Sequence, residues 1–249
     1  IAAGIPPRGI SLGAVPVVRT MGNLLTGPEH WVDLIVALPG LMAAFLHLLS
    51  CAHNAHTHAA SVAYTSTATS STTASSGGGE GYGGDKAVLK EGMFALGCIL
   101  GGSATARTAA LQGGALQAVS QCLLSDIFEV QREAVFALRH ALQDSECLEL
   151  LGADVLATAE LRRTLIRLLR SPDPEIPLAC IQILANTMLG SNGGSGSSGA
   201  VQLQQQQQRR RLRSEYLAHE MYDNLEYLLY AGGTRDQVSK AAREAIERL

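Results

Sequence analysis

The chain has 249 residues, 47% of them hydrophobic and 4% aromatic, and a formal net charge of −3. That is enough apolar side chain for a substantial core, and a core of Leu, Ala and Val suits closely packed helices. So weak a charge leaves no basic field for nucleic acid, and no apolar run is long enough to span a bilayer.

Residues 1–13 carry Pro6-Pro7, Gly4, Gly9 and Gly13 and read as a poorly ordered lead-in. The chain opens on Ile1 rather than Met, in mid-pattern, as a fragment would, and shows no signal peptide. From 14 to 50 the pattern is helical. Pro16 fits the first turn of a helix that runs through Leu25 and stops at Gly27-Pro28. A shorter helix covers His30 to Ala37, Pro39-Gly40 breaks it, and Leu41 to Leu49 forms a third. Long, short and medium is the cycle of an armadillo-type unit read from its last helix. Residues 51–85 are rich in Ser, Thr, Ala and Gly and read as a disordered insertion between two helices.

Helical repeats resume over 86–190. A long helix covers 86–100, a short one Ala104 to Leu111, a medium one Ala115 to Leu124, and a second long one 129–143. The cycle recurs with Glu146 to Leu151, Leu161 to Arg170 and Ile176 to Leu189, the last with Pro177 in its first turn. Residues 191–214, Gly/Ser-rich and then carrying Gln204 to Gln208 and Arg209-Arg210-Arg211, read as a second low-complexity insertion. A last repeat occupies 215–249, with helices at Tyr216 to Tyr230 and Asp236 to Leu249.

Two of the long helices carry the same pattern. Glu91 and Glu133 are 42 residues apart, and so are Phe94 and Phe136. Armadillo and HEAT repeats have periods of about 40–47 residues, and a helix repeated at that spacing must bury its apolar face on a neighbouring copy. The expected fold is an all-α armadillo-repeat solenoid, a right-handed superhelix of three-helix repeats with two disordered low-complexity insertions. The cysteines, Cys51, Cys98, Cys122, Cys147 and Cys180, are scattered and contain no Cys-x-x-Cys pair. That spacing points to a reducing compartment rather than to disulfides or a zinc site.

The string Pro16-Val17-Val18-Arg19-Thr20-Met21-Gly22-Asn23-Leu24-Leu25-Thr26-Gly27 resembles the inner helix of the sixth repeat of the importin-α (karyopherin-α) family. Residues 86–102, 129–143, 175–189 and 220–249 resemble its seventh to tenth repeats in order. The resemblance implies a nuclear import adaptor that binds basic nuclear localisation signal peptides in a concave groove and shuttles between cytoplasm and nucleus. In that family a Trp and an Asn one turn apart line the groove. The Asn amide holds the peptide backbone, and the indoles form slots for Lys and Arg stems.

Carried over by residue, the resemblance makes Arg19 and Asn23 one such pair and Glu91 and Glu133 the acidic positions. Phe94 and Phe136 stand for Trp, and Cys98 and His140 for Asn. The family also implies importin-β, recruited through an N-terminal segment absent from this chain, and an export receptor at the last repeat. No cofactor, metal, nucleic acid or membrane is implied, and no catalytic set is evident. On pattern alone Phe94 and Phe136 fit a core position better than a groove wall, the resemblance bringing the two level, and Glu91 and Glu133 fit a solvated face or a packing pair between repeats. An armadillo scaffold for protein–protein interaction without a transport role accounts for the same pattern. His53, His56 and His58 form a His-x-x-His-x-His cluster whose low-complexity setting points to an incidental loop rather than a metal site.

Overall fold

A computed structural model of the chain describes residues 10–66, 80–143, 158–189, 221–230 and 236–248. Among these all regular structure is α-helix: α1 (Ile10–Leu25), α2 (Glu29–Val36), α3 (Leu41–Ser66), α4 (Glu80–Gly101), α5 (Ala104–Gln112), α6 (Ala115–Leu123), α7 (Phe128–Ala141), α8 (Ala159–Leu168), α9 (Glu175–Leu189), α10 (Met221–Tyr230) and α11 (Asp236–Arg248). The helix expected at Glu146 to Leu151 and the insertion over 191–214 lie outside the described residues. No single helix among those described is long and apolar enough to cross a membrane. The pair Glu29–Val36 and Leu41–His58 reaches that composition only together, across an 85° bend.

Two boundaries differ from expectation. α1 begins at Ile10, so Pro16 lies inside the helix and not in its first turn. It has no N–H for the carbonyl four residues back, and it sits on the exposed side. The insertion expected over 51–85 is also partly helical. α3 runs on to Ser66 and α4 starts at Glu80, so 67–79 alone lies outside the described residues. For α3 the physical reason is cooperativity. A nucleated helix needs only propagation, and Ala is the best residue to propagate it. Within the extension the Thr57 hydroxyl donates to the His53 and Asn54 carbonyls, 3.1 Å each.

The chain divides into two compact units, Ile1–Ala137 and Leu138–Leu249, the division falling inside α7. In the first unit each helix packs on its counterpart three elements later: α1 on α4, α2 on α5, and α3 on α6. α4 in turn meets α7, where Gly97 lies against Ala137. Three rows of equivalent helices are what a three-helix repeat produces when each copy buries its apolar face on the next. Leu89, Met93, Leu96, Ile99 and Leu100 of α4 are fully buried between those neighbours.

Short connections hold the rows in step. Gly40 (φ 76°) and Gly114 (φ 95°) take the left-handed backbone needed between α2 and α3 and between α5 and α6. Ser103 caps α5 by accepting from the Ala106 N–H at 3.1 Å, and it also bonds the Asp33 carboxylate of α2. The Arg107 guanidinium donates to the Leu100 and Gly102 carbonyls at 2.8 and 3.0 Å, which satisfies the open end of α4. In the second unit α8 packs on α9, and α11 packs on both α9 and α10. Arg170, just past α8, donates to the Asn224 side chain on α10 at 2.5 Å.

Candidate functional site

The expected site residues fall on α1, α4 and α7, the members of one row. Glu91, Phe94 and Cys98 are three and then four residues apart on α4 and so share a face, as do Glu133, Phe136 and His140 on α7. The stacking register aligns the copies. A Cβ built on Gly22 would lie 3.8 Å from the Ala95 Cβ, and one built on Gly97 would lie 3.8 Å from the Ala137 Cβ. Gly22 precedes Asn23 as Gly97 precedes Cys98. Ala95 follows Phe94 as Ala137 follows Phe136. The two interfaces therefore use one register, with Phe94 and Phe136 at equivalent positions.

The side chains differ in exposure. Phe94 is 38% exposed, with one edge over Gly22, while Phe136 is half-buried. Asn23 is exposed, and Cys98 and His140 are half-buried. His140, one turn beyond Phe136, belongs to the second unit. Burial, and then the nearby Glu133 carboxylate, push the Cys98 thiol up, so it stays protonated at neutral pH.

Both carboxylates already hold arginines of this chain. The Arg19 Nη2 reaches Glu91 Oε1 at 2.9 Å, and Nε donates to the same oxygen at 3.2 Å, tying α1 to α4. Glu91 thus takes the repeat-to-repeat pairing that its pattern left open. Glu133 pairs within its own helix, with Arg132 Nη1 at 2.8 Å from its Oε1. The Arg132 guanidinium lies 4.9 Å over the centre of the Phe136 ring. Burial raises the Glu133 carboxyl above the usual range. Arg132 and Lys90 pull it back, and Glu91 adds a smaller upward push. Glu91, Glu133 and Lys90 therefore feel one another across α4 and α7. A second tie joins these helices where Lys86 Nζ meets Glu129 Oε2 at 3.1 Å.

Three residues that the pattern did not single out shape this face. Arg132 sits beside Glu133 and one turn before Phe136, a spacing at which its long side chain can lie over the ring. Gly22 provides the gap filled by Phe94, and Lys90 offsets Glu133. Further along the chain, the Asn186 amide donates to the Leu142 carbonyl at 3.3 Å and so caps the chain leaving α7. Of the histidine cluster, His56 Nε2 lies 2.9 Å from Asp126 Oδ1. Among the described residues no group of three His, Cys, Asp or Glu could hold a metal ion.

Two similar solved structures are designed proteins. One comes from computationally designed armadillo repeat proteins for modular peptide recognition (TM-score 0.61, 17% identity, 94% of this chain and 75% of that one). The other is a designed armadillo repeat protein in complex with the peptide (KR)4 (TM-score 0.61, 18% identity, 96% of this chain and 77% of that one). A third, described as an engineered protein, matches at a TM-score of 0.53 with 20% identity over 94% of this chain and 89% of its own. No protein-family model matches the chain, and no curated protein does. At these identities the likeness establishes the fold, an all-α armadillo solenoid.

Proposed function

We propose that this armadillo stack is a peptide-binding module whose ligand is an extended basic segment of nuclear localisation type, carried as the cargo of a nuclear import adaptor. The observation that carries the reading is the common register of α1, α4 and α7. It sets Glu91 with Phe94, and Glu133 with Phe136, at equivalent points along one row. Such a row reads an extended peptide one repeat at a time. The exposed Asn23 amide can donate to and accept from the peptide backbone. The open face of Phe94 can take a Lys or Arg stem, and the carboxylates supply attraction. The designed armadillo protein bound to (KR)4 is a precedent for basic ligands on this fold.

Cys98 and His140, standing where an Asn would hold the peptide, cannot supply its paired bonds. Each net hydrogen bond is worth about 1 kcal/mol, so this half of a groove binds roughly tenfold or more below one with both amides. In the same reading importin-β is a further partner, the last repeat meets an export receptor, and the protein moves between cytoplasm and nucleus.

The test is a fluorescence-anisotropy titration with a bipartite basic peptide at two salt concentrations. Saturable binding that weakens with salt is expected. Absence of binding at low salt would remove the cargo role and leave the fold intact. One observation favours a second reading, a scaffold for other proteins without a transport role. Arg19 and Arg132 already neutralise both carboxylates. A scaffold of that kind would ignore the basic peptide at either salt concentration.

A further inference from the structure

We propose that Arg132 is a specificity-determining residue of this face: it fills from within the cation position made by Glu133 and Phe136, so a ligand's basic side chain enters there only by displacing it. The proposal rests on the peptide-binding reading and deepens it. A cation site of this kind needs a carboxylate and an aromatic face together, with the stem of the guest lying along the ring. Arg132 supplies that guest. Its Nη1 is 2.8 Å from Glu133 Oε1, and its guanidinium carbon stands 4.9 Å over the Phe136 ring.

Arg19 joins two helices through Glu91, whereas Arg132 and Glu133 are adjacent residues of one helix, and their pairing ties no element to another. Successive helical residues point about 100° apart, so the side chain must curl back to reach its neighbour and the ring one turn ahead. The carboxylate it holds is mostly covered, with a side-chain exposure of 11%. While ionised, a covered carboxylate needs a cation beside it. Arg132 meets that need in the free protein, and a ligand arginine meets it in the complex. Exchanging one guanidinium for another gains little, so this position discriminates weakly among basic peptides while Arg132 is present.

Removing the internal guest should uncover the site. Binding of a (KR)4 peptide to the whole chain is measured by anisotropy for the wild type, for Arg132→Gln and for the double variant Arg132→Gln, Glu133→Gln. The expected result is about tenfold tighter binding to Arg132→Gln, roughly the 1.4 kcal/mol of one factor of ten. The gain should vanish in the double variant and fall when single peptide residues are replaced by Ala at one position only. A peptide that binds the wild type and Arg132→Gln equally, or the variant less well, overturns the proposal and leaves the peptide-binding reading standing. If neither protein binds, both fall. Should circular dichroism show Arg132→Gln unfolded, Arg132→Lys is used instead. It keeps the charge but loses the planar fork, and an affinity gain below twofold then overturns the proposal.

Discussion

A methyl group on Gly92 would run into Leu49: a Cβ built on Gly92 overlaps the Leu49 Cδ2 across the α3–α4 contact. Leu49 is 1% exposed, so its side chain would have to shift within the core. Gly97, one and a half turns further on, faces Ala137 at ordinary contact distance, with the nearest atom 3.7 Å from its built Cβ. The two glycines of α4 thus have opposite expected responses. Gly92→Ala overpacks the core and should cost about 1–3 kcal/mol. Gly97→Ala removes backbone freedom from the unfolded chain at a site with room for a methyl, and should be neutral or stabilise by up to about 1 kcal/mol. Urea unfolding of the two variants measures both values. A Gly92→Ala protein as stable as wild type would mean that α3 and α4 do not pack as described.

The Arg19–Glu91 pair spans two repeats, yet its energetic weight should be small. The Arg19 side chain is 57% exposed, so water and salt screen the pair. A double-mutant cycle with Arg19→Ala and Glu91→Ala should give a coupling well under about 1 kcal/mol in physiological salt. A larger value would show that this contact helps hold α1 on α4.

Glu133 makes a pH prediction whose direction opposes most carboxylates. Its folded pKa is raised, chiefly by burial, above the ordinary glutamate value of about 4.3. The native state therefore holds the proton more tightly than the unfolded chain. The associated stability is fully present below the unfolded pKa and is lost as pH rises through the folded one. Asp126 and Glu129, both lowered, run the other way and lose their contribution as pH falls. The difference between wild type and Glu133→Gln isolates the one group. The variant should gain stability relative to wild type as pH rises from about 4 towards 7, read from urea midpoints at several pH values. A constant difference across that window would contradict the buried placement of Glu133.

Thiol reactivity should sort the cysteines by depth. Burial pushes the Cys122 thiol up to about 12 and raises Cys180 further still. Both should resist alkylation at pH 8 in the native protein and react once it is denatured, while half-buried Cys51 and Cys98 label earlier. Peptide mapping by mass spectrometry follows each site. Early labelling of Cys180 would place α9 outside the core.

The combined change Phe94→Trp and Cys98→Asn supplies the stronger ring quadrupole and the amide that α4 lacks. Residue 94 is 38% exposed, so the wider ring can extend on its open side while its inner edge stays over Gly22. Basic-peptide affinity should rise roughly tenfold, as measured by the same anisotropy titration. Unchanged affinity would move the ligand away from α4.

Much of the architecture could be read from one-dimensional pattern. The 42-residue offset from Glu91 to Glu133 and from Phe94 to Phe136 marked α4 and α7 as equivalent helices, and Gly and Pro marked the breaks between elements. Those signals are local, because helix periodicity and turn chemistry involve residues within a few positions of one another. The extension of α3 to Ser66 escaped for a related reason. Composition averages over a segment, whereas helix propagation depends on what has already folded beside it.

Sequence by itself determined which helices repeat, where most of them stop, and which side chains share a face, since each of these follows from spacing along the chain. Only the tertiary structure decided what those side chains meet. That Arg19 crosses 72 residues to hold Glu91, that Arg132 curls back over Phe136, and that Gly22 and Gly97 use one register depend on distances between helices. Periodicity carries no such distances. They arise when apolar faces close on one another and the long charged side chains at the rim take the partners that come within reach.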